Sequence, residues 1–478
     1  MTREIEAFIK DFVSDLSENN VAIFAGAGMS ISLGFVDWKE LMSEIAHDLG
    51  LEIDREYDLV SLAQYHVNEK SRVKLTKKII EEYTERAEIS ESHRILARLP
   101  ISTYWTTNYD KVIEQALEES NKIVDVKFLV EQIFDTRPKR DAVLYKMHGD
   151  VSLPSKTTLT KEEYESYHVT HEPFISALRG DLTTKTFLFI GFSFTDPNLD
   201  YVLSRIRVTH GKPRDHYCFV RKPKLGEKGS EDQAAFEYNT RKQSLMIGEL
   251  RRYGIQPLLI DEYSQIEQVL GEIEKRFRKK TIFISGSAEE YAKWSRAEAQ
   301  EFIHKLSKKI VTSNFRIVNG FGWGIGSAVI NGALEAVYER PDKFSEQQLV
   351  MKPFPQYSTG GKGVKELWEE YRQKMIRLAG VAIFIFGNKL DDAGQVIPAN
   401  GVEREFEIAL EHGLIPIPVG VTGSVAKTIY DRISTDFELY YKGNEWIIPI
   451  VRDLGTNEDL SSSEIIGRVM EIVTKVNK

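Results

Sequence analysis

Two residues suited to catalysis, Asn108 and His148, each follow a segment that is predicted to be a strand. An amide side chain can position a substrate through hydrogen bonds. An imidazole with an ordinary pKa of about 6.5 can accept a proton at physiological pH. Each residue also has a structural interpretation, because Asn108 can cap the helix that follows it and His148 can be a satisfied, partly buried histidine.

A glycine-rich loop, GAGMS at residues 26–30, follows the apolar run VAIFA. Gly26 and Gly28 lack a Cβ atom, so the backbone can turn sharply and approach another group closely. A loop of this kind ahead of a helix presents free N–H groups, which suit an anion such as a nucleotide phosphate. The same pattern also occurs as a tight structural turn, and the lysine of a P-loop is missing because GxxxxGK[ST] occurs nowhere in the chain.

Strand-like and helix-like segments alternate through the first half of the chain, which predicts a mainly parallel sheet covered on both faces. An amphipathic helix opens the chain, and its apolar stripe comprises Ile5, Phe8, Ile9, Phe12 and Leu16. The predicted strands lie at 21–25, 102–107, 143–147, 186–192 and 217–220.

Polar, mostly glycine-containing groups follow four of these strands, at the edge where an open parallel sheet binds its ligands. The four groups lie at 26–30, 107–110, 148–150 and 191–198. In the last group, Asp196 followed by a proline also fits a plain helix start. Because the carboxyl ends of parallel strands meet at one edge, we expect all four groups to converge there.

A second α/β unit begins after the basic stretch at 274–280, which we interpret as a solvated helix end. Its predicted strands lie at 281–285, 315–320, 348–354, 381–387 and 415–420, and a capped helix closes the chain. The sequence thus predicts two Rossmann-like parallel-sheet domains, at 1–278 and 279–478.

The composition argues against several other classes of protein. The net charge of −9 disfavours sequence-independent binding of nucleic acid, which needs clustered basic residues. No apolar run reaches the length of a membrane span, and the acidic N-terminal segment does not resemble a secretory signal, so we expect a cytoplasmic protein. A single cysteine, Cys218, excludes an internal disulfide and a cysteine-rich zinc site.

Together, GAGMS, TTNYD, the His-Gly after the next strand and the later GFS resemble the sirtuin family over roughly residues 5 to 275. The resemblance implies a Rossmann-like domain that takes NAD as its substrate. It implies that Gly26, Ala27, Gly28 and Ser30 hold the NAD phosphates, that Asn108 contacts the nicotinamide ribose and that His148 is the general base. Asp110 matches an acidic position of the family, where it would hold the loop or the ribose. The neighbouring residues that we add to the predicted NAD site are Ala25, Gly191, Ser193 and Asp196.

The chain departs from protein-deacylating sirtuins, which carry a small module with four zinc-binding cysteines. With one cysteine, the chain cannot form that module, so the acyl-lysine groove is in doubt and the NAD-cleaving half of the chemistry remains. Nicotinamide leaves as a neutral ring through an oxocarbenium-like transition state, and this chemistry requires no metal. A protein deacylase and a non-catalytic NAD or ADP-ribose sensor stay open as alternatives.

In the second unit, GSA after TIFIS and the later VNGFGWGIGS resemble the SLOG group of nucleotide-sensing domains. A glycine-rich turn in an ordinary Rossmann-like domain is the alternative. The order sirtuin-like then SLOG resembles the effector family of Thoeris anti-phage defence along the whole chain. That family implies an NAD hydrolase that forms a homotetramer and is switched on by a cyclic ADP-ribose isomer made by a TIR-domain partner. The effector site that it implies comprises Gly286, Ser287, Ala288, Gly322, Gly324, Arg372, Lys389 and Glu405.

Apart from the resemblance, the sequence supports Arg372, Lys389 and Glu405 as effector ligands to different degrees. Arg372 lies on a predicted helix with Leu367, Trp368, Tyr371 and Met375 as its apolar stripe, where it could equally be a packed stem with a solvated head. Glu405 lies near a helix start, where the dipole alone favours a carboxylate. Lys389 follows a strand end, and an Arg–Lys pair suits a diphosphate.

Overall fold

The structure, a computed structural model, describes residues 1–84, 87–194, 196–210 and 214–477, so Thr195 of the fourth strand-end group lies outside the described residues. The chain folds into two compact units, Met1–Glu274 and Lys275–Lys478. The predicted boundary at 278 lies a few residues further along, within the helix that contains this division. Each unit contains a parallel sheet with helices, which confirms the predicted fold class.

The first unit is built on a seven-stranded sheet in which all neighbouring strands pair in parallel. Its strands are β1 Val21–Ala25, β2 Thr103–Thr106, β3 Val124–Lys127, β4 Ala142–Lys146, β5 Thr186–Ile190, β6 His216–Arg221 and β7 Ile255–Ile260. They lie in the order β3-β4-β2-β1-β5-β6-β7, so β1 is central. In register, Ala25 lies beside Thr106 and Ile190, and Thr106 lies beside Lys146. The four strands that carry the polar groups therefore end level with one another.

Twelve helices accompany this sheet within the described residues. They are α1 Arg3–Ser17, α2 Gly28–Ile31, α3 Trp38–Asp48, α4 Leu59–Glu69, α5 Val73–Tyr83, α6 Glu91–Arg98, α7 Val112–Glu119, α8 Lys161–Thr170, α9 Glu172–Thr184, α10 Pro197–His210, α11 Gln233–Arg252 and α12 Ser264–Lys279. The predicted stripe of α1 is buried in full.

Both faces of β1 are buried because successive side chains of a strand point to opposite sides. Phe24 packs against Phe189 and Phe192 on one face, whereas Ile23 and Ala25 face residues of α6 and α7 on the other. Helices α3 to α5 form a further apolar cluster, which includes Tyr109 beside the predicted site.

The second unit contains a five-stranded parallel sheet and a short antiparallel hairpin. The sheet strands are β8 Thr281–Ser287, β9 Arg316–Asn319, β10 Leu349–Met351, β11 Val381–Phe386 and β14 Ile415–Pro418, and the hairpin strands are β12 Asn388–Leu390 and β13 Val396–Pro398. The sheet order is β10-β9-β8-β11-β14. The helices are α13 Arg296–Thr312, α14 Gly326–Glu339, α15 Val364–Ile376, α16 Asn400–Glu411, α17 Ser424–Ser434, α18 Phe437–Tyr441, α19 Ile448–Thr456 and α20 Ser462–Lys475.

The sequence prediction missed four strands, β3, β7, β12 and β13. In the part of the chain that the structure describes, no helix combines the length and apolar character that a membrane crossing requires.

Candidate functional site

Asn108 lies at the centre of a buried hydrogen-bond network at the carboxyl edge of the seven-stranded sheet. Its Nδ2 atom donates to the carbonyl oxygen of Gly26, at 3.2 Å, and to Oγ of Ser30, at 3.1 Å. Ser30 Oγ in turn donates to Oδ2 of Asp110, at 2.9 Å. The loops after β1 and β2 are thus joined through side chains that the sequence assigned to one site.

The alternative interpretation of Asn108 as a helix cap is wrong. Helix α7 begins at Val112, and the backbone N–H of Val112 donates to Oδ1 of Asp110 rather than to Asn108. One carboxylate oxygen of Asp110 therefore accepts a hydrogen bond from the start of the helix, and the other accepts a hydrogen bond from Ser30. Asn108 is left to hold the glycine-rich loop.

The glycines of the GAGMS loop are required by close backbone packing. A Cβ atom on Gly26 would lie 2.4 Å from the carbonyl oxygen of Gly191, and one on Gly28 would lie 2.8 Å from Cα of Gly191. Gly191 itself has φ +64°, and its Cβ would lie 2.4 Å from the backbone nitrogen of Met29. Three glycines thus let the loops after β1 and β5 touch.

The expectation of free N–H groups in this loop is wrong for four residues. The N–H groups of Gly26 and Gly28 donate to the carbonyls of Ile190 and Gly191, and those of Met29 and Ser30 donate to carbonyls within the turn. The loop is therefore held rigidly against its neighbour, and its contact with NAD phosphates stays a prediction. Ala27 and Gly28 are exposed, whereas Ala25 and Ser30 are buried.

His148 is buried in the loop directly after β4, the strand next to β2, which leads to Asn108. Its Nε2 atom lies 3.1 Å from Oδ2 of Asp196, a close approach that lacks the alignment of a hydrogen bond. Its Nδ1 atom lies 3.4 Å from Oη of Tyr164, a residue of α8 that the sequence did not single out. Burial lowers the pKa of His148, and the Asp196 carboxylate partly opposes that shift. The imidazole is therefore neutral at physiological pH, as a general base must be.

Asp196 links this histidine to the last predicted group. Its Oδ1 atom accepts the N–H groups of Asn198 and Leu199 at the start of α10, so it caps that helix as well as facing His148. Gly191 belongs to the packed glycine contact, and Ser193 is exposed.

Lys146 was not predicted as a site residue, although a lysine at the end of an apolar strand was a visible signal. Its side chain is 0% exposed, and its Nζ atom lies 3.0 Å from Oε1 of Glu114 and also contacts the carboxylate of Asp150. Burial lowers the pKa of Lys146, but the carboxylates of Glu114 and Asp150 raise it more, so the ammonium stays charged.

In the second unit, Arg372 of α15 and Glu405 of α16 lie together at the β8 strand end. Glu405 accepts a hydrogen bond of 2.6 Å from Oγ of Ser285, the residue before the GSA turn. Arg372 Nε lies 3.7 Å from Oε1 of Glu405 and has no hydrogen-bond partner among the described residues. Burial raises the pKa of Glu405, and Ser285 and Arg372 oppose that shift.

The predicted apolar stripe of α15 is only partly buried. Met375 is buried and Tyr371 is exposed. The guanidinium of Arg372 stacks over the ring of Phe354, at 5.0 Å. The arginine stem is therefore packed, in agreement with its position beside the core. Glu405 is buried and bonded to Ser285, so the helix dipole alone does not account for it.

Lys389 lies on β12 and reaches the start of α16, where its Nζ donates to Oδ1 of Asn400 at 2.6 Å. Ser287 Oγ donates to the carbonyl of Asn388, which brings β12 to the end of β8. Asn388, which the sequence reasoning missed, accepts the N–H groups of Glu289 and Glu290 through its side chain. The GSA turn and Lys389 therefore share one edge of the sheet.

Glycines again permit close contact between loops. A Cβ on Gly322 would lie 2.1 Å from the carbonyl oxygen of Gly286, and one on Gly324 would lie 1.8 Å from that of Ala288. The loop between them exposes Trp323, which is 72% exposed and donates through Nε1 to Glu289. The predicted effector residues are thus assembled around the ends of β8, β9 and β11.

Neither unit shows a candidate metal centre, since no group of three or more His, Cys, Asp or Glu side chains clusters suitably among the residues described. Cys218 is buried, and burial raises its pKa to about 12, so the thiol is unsuited to act as a nucleophile.

Comparison with known families and proteins agrees with this architecture. Residues 102–258 match the SIR2-like domain, and residues 265–476 match the Sir2- and TIR-associating SLOG family. A protein of Bacillus cereus (strain MSX-D12) named NAD(+) hydrolase ThsA is 48% identical over 98% of both chains. Proteins of the same name are 44% identical in Cytobacillus dafuensis, over 99% of this chain and 97% of theirs, and 45% identical in Acinetobacter baumannii (strain 532279), over 92% of both. The chain therefore belongs to the ThsA family of NAD(+) hydrolases, in which a SIR2-like domain precedes a SLOG domain.

Proposed function

We propose that the chain hydrolyses NAD⁺ to nicotinamide and ADP-ribose at the carboxyl edge of the seven-stranded sheet. The observation that carries the proposal is the buried network in which Asn108 holds Ser30 and the Gly26 carbonyl. His148 follows the neighbouring strand, and its lowered pKa keeps it neutral. The name of the relatives, NAD(+) hydrolase, supports the same activity.

In the proposed reaction, the bond between ribose C1′ and the nicotinamide nitrogen breaks. Its electron pair goes to the nitrogen, so nicotinamide leaves as a neutral ring and the ribose acquires oxocarbenium character. A water oxygen bonds to C1′, and its proton goes to His148. The Asp196 carboxylate beside Nε2 favours the imidazolium that results. Asn108 orients the ribose, and neither step requires a metal.

The proposal is tested by measuring nicotinamide released by the purified chain and by His148→Ala and Asn108→Ala variants. Loss of a general base typically costs about two to four orders of magnitude in rate, and misplacement of a reacting group can cost about 10²-fold. Both variants should therefore lose most turnover while remaining folded. His47→Ala is the matched control, because His47 is an exposed residue of α3. Turnover near the wild-type value in either site variant would remove that residue from the mechanism. Release only with an acetylated peptide would identify a deacylase, and no release under any condition would favour a sensor.

We also propose that a cyclic ADP-ribose isomer, made by a TIR-domain partner, binds the second unit and activates a homotetrameric enzyme in anti-phage defence. Two observations support a ligand there. Arg372 Nε is buried without a hydrogen-bond partner in the described structure, and Lys389 approaches from the same sheet edge. The description of the matched family as Sir2- and TIR-associating supports such a partner. Depletion of cellular NAD would then follow only upon infection.

The energetic demand on this switch is large. An effector that moves the ratio of active to inactive enzyme from about 1:99 to 99:1 must bind the active state about 10⁴-fold more tightly, a difference of about 5.5 kcal/mol. An arginine contact to a buried phosphate is among the stronger single interactions available. Binding should therefore depend heavily on Arg372, with Lys389 and Glu405 assisting.

The activation step is tested by calorimetric titration of cyclic ADP-ribose isomers into the full chain, followed by the nicotinamide assay. Arg372→Ala should lose binding and activation but keep its NAD site. Arg468→Ala is the matched control, because Arg468 is a half-exposed residue of α20 that pairs with Asp453. An Arg372→Ala variant that is still fully activated would refute this placement of the effector. Sedimentation of the purified chain tests the homotetramer.

A further inference from the structure

A single buried ammonium group joins the two loops that carry the predicted catalytic residues. Lys146 is the last residue of β4 and its side chain is 0% exposed. Nζ donates to the backbone carbonyls of Tyr109, at 3.2 Å, and of Asp110. It also pairs with the carboxylates of Glu114 and Asp150. A buried charge is tolerated only when its hydrogen-bonding capacity is met, and these four partners meet it.

The partners of Lys146 come from different segments. Tyr109 and Asp110 belong to the loop after β2, directly after Asn108, and Glu114 lies on the helix that this loop enters. Asp150 belongs to the loop after β4, directly after His148 and Gly149. The ammonium therefore joins the two loops beyond the last residues that β2 and β4 pair in register, Thr106 and Lys146.

Asp150 is itself held in place, so it transmits this constraint. Its Oδ1 atom accepts the backbone N–H and the hydroxyl of Ser152. The N–H of Val151 donates to the same Tyr109 carbonyl that Lys146 contacts, at 3.1 Å. The loops after β2 and β4 are thus joined at the Tyr109 carbonyl and at the Lys146 ammonium.

We propose that Lys146 is a positioning residue for NAD hydrolysis, which holds the loop of Asn108 and the loop of His148 at the spacing that the reaction requires. This inference rests on the proposed function of the first unit. The four partners of Lys146 include neither Asn108 nor His148, so it acts through the loops that carry these two residues. Misplacement of a reacting group by about 1 Å can cost about 10²-fold in rate, which makes such spacing matter.

The chain offers a matched control in Lys127, the last residue of the next strand, β3. Lys127 is also buried, at 3% exposure, and its Nζ pairs with Asp125 at 2.9 Å and with the carbonyl of Asp135. Both partners lie near β3 itself rather than on the loops of Asn108 or His148. Replacing either lysine by methionine removes a buried cation from the same sheet, but only one replacement releases the catalytic loops.

The experiment compares Lys146→Met and Lys127→Met in the full chain by hydrogen–deuterium exchange and by steady-state kinetics. Lys146→Met should raise amide exchange in the segments 107–112 and 147–152 and lower kcat at least about tenfold, with KM for NAD within about threefold. Lys127→Met should change none of these. Glu114→Gln, which keeps the lysine, should shift exchange and kcat in the same direction by less. It serves as the test if Lys146→Met does not fold.

A second readout separates positioning from bulk stability. Because Lys146 acts by holding the loop of His148 in place, Lys146→Met should lower kcat by a clearly smaller factor in a His148→Ala background than in the wild type. Equal exchange or equal kcat in the two folded methionine variants, or full additivity with His148→Ala, would overturn the inference. Raised exchange in an enzyme that never releases nicotinamide would instead overturn the proposed function and leave the coupling of the two loops supported.

Discussion

Replacing Ser30 by alanine tests the central network most directly. Ser30 Oγ donates to Asp110 and accepts from Asn108, and the residue is buried. The change removes the hydrogen bond from Ser30 to the Asp110 side chain, and a hydrogen bond to a charged group is worth about 1.5–3 kcal/mol. The side-chain nitrogen of Asn108 then keeps only its hydrogen bond to the Gly26 carbonyl. We therefore expect a loss of about 2 kcal/mol in the unfolding free energy of the first unit.

On the proposed function, in which Asn108 orients the ribose, the same change should lower kcat at least about tenfold, because an Asn108 amide with one anchor samples other orientations. A lost stability of about 2 kcal/mol should also lower the melting temperature by about 4–8 °C in a domain of this size. Scanning calorimetry of the full chain measures the shift, and release of nicotinamide at saturating NAD and effector measures kcat.

The matched control is Ser61→Ala. Ser61 is likewise a buried serine whose hydroxyl donates to an aspartate, Asp58, but it lies at the start of α4 outside the predicted site. The Ser61→Ala variant should show a similar loss in the free energy of unfolding and keep the wild-type kcat. Equal kcat in Ser30→Ala and Ser61→Ala, or full stability in Ser30→Ala, would show that this network neither stabilises the first unit nor holds Asn108 in place.

Three further predictions follow from the same structure. Gly191→Ala should unfold or inactivate the first unit because its Cβ would lie 2.4 Å from the Met29 nitrogen. Gly180→Ala, with open space around it on α9, should be neutral or stabilising by up to about 1 kcal/mol, and comparison of the two melting temperatures checks this. Burial lowers the pKa of His93 to about 4 from the usual 6.5, so the stability it contributes is fully present above pH 6.5 and is lost as pH falls from about 6.5 to about 4. At about 1.4 kcal/mol per pKa unit this amounts to about 3 kcal/mol, and a His93→Gln variant that shows the same pH dependence of unfolding as the wild type would contradict it. A chelator should leave melting temperature and turnover unchanged, whereas a stoichiometric metal lost together with activity would show that the chemistry depends on one.

The fold class, and the strand ends that bear the predicted site residues, can be predicted from the sequence alone. Central strands such as β1, β5 and β11 are buried along their whole length, so each is a continuous apolar run that is visible without a structure. The strands missed in the first unit are its two edges. β3 contains the charged Asp125 and Lys127, which neutralise each other, and β7 contains Pro257, which an edge strand tolerates.

The contacts among the candidate residues, by contrast, are visible only in the folded chain. Asn108 and Gly26 are 82 positions apart, and Ser30 and Asp110 are 80 apart, so no local pattern encodes their hydrogen bonds. The sequence identified Gly26 and Gly28 but not their reason, which is the approach of Gly191 from another strand. The sequence likewise shows Lys146 at the end of an apolar strand but not the groups that surround its ammonium. Its side chain is stable in the core only because Glu114, Asp150 and two carbonyls converge on it, and that convergence arises when parallel strands end level.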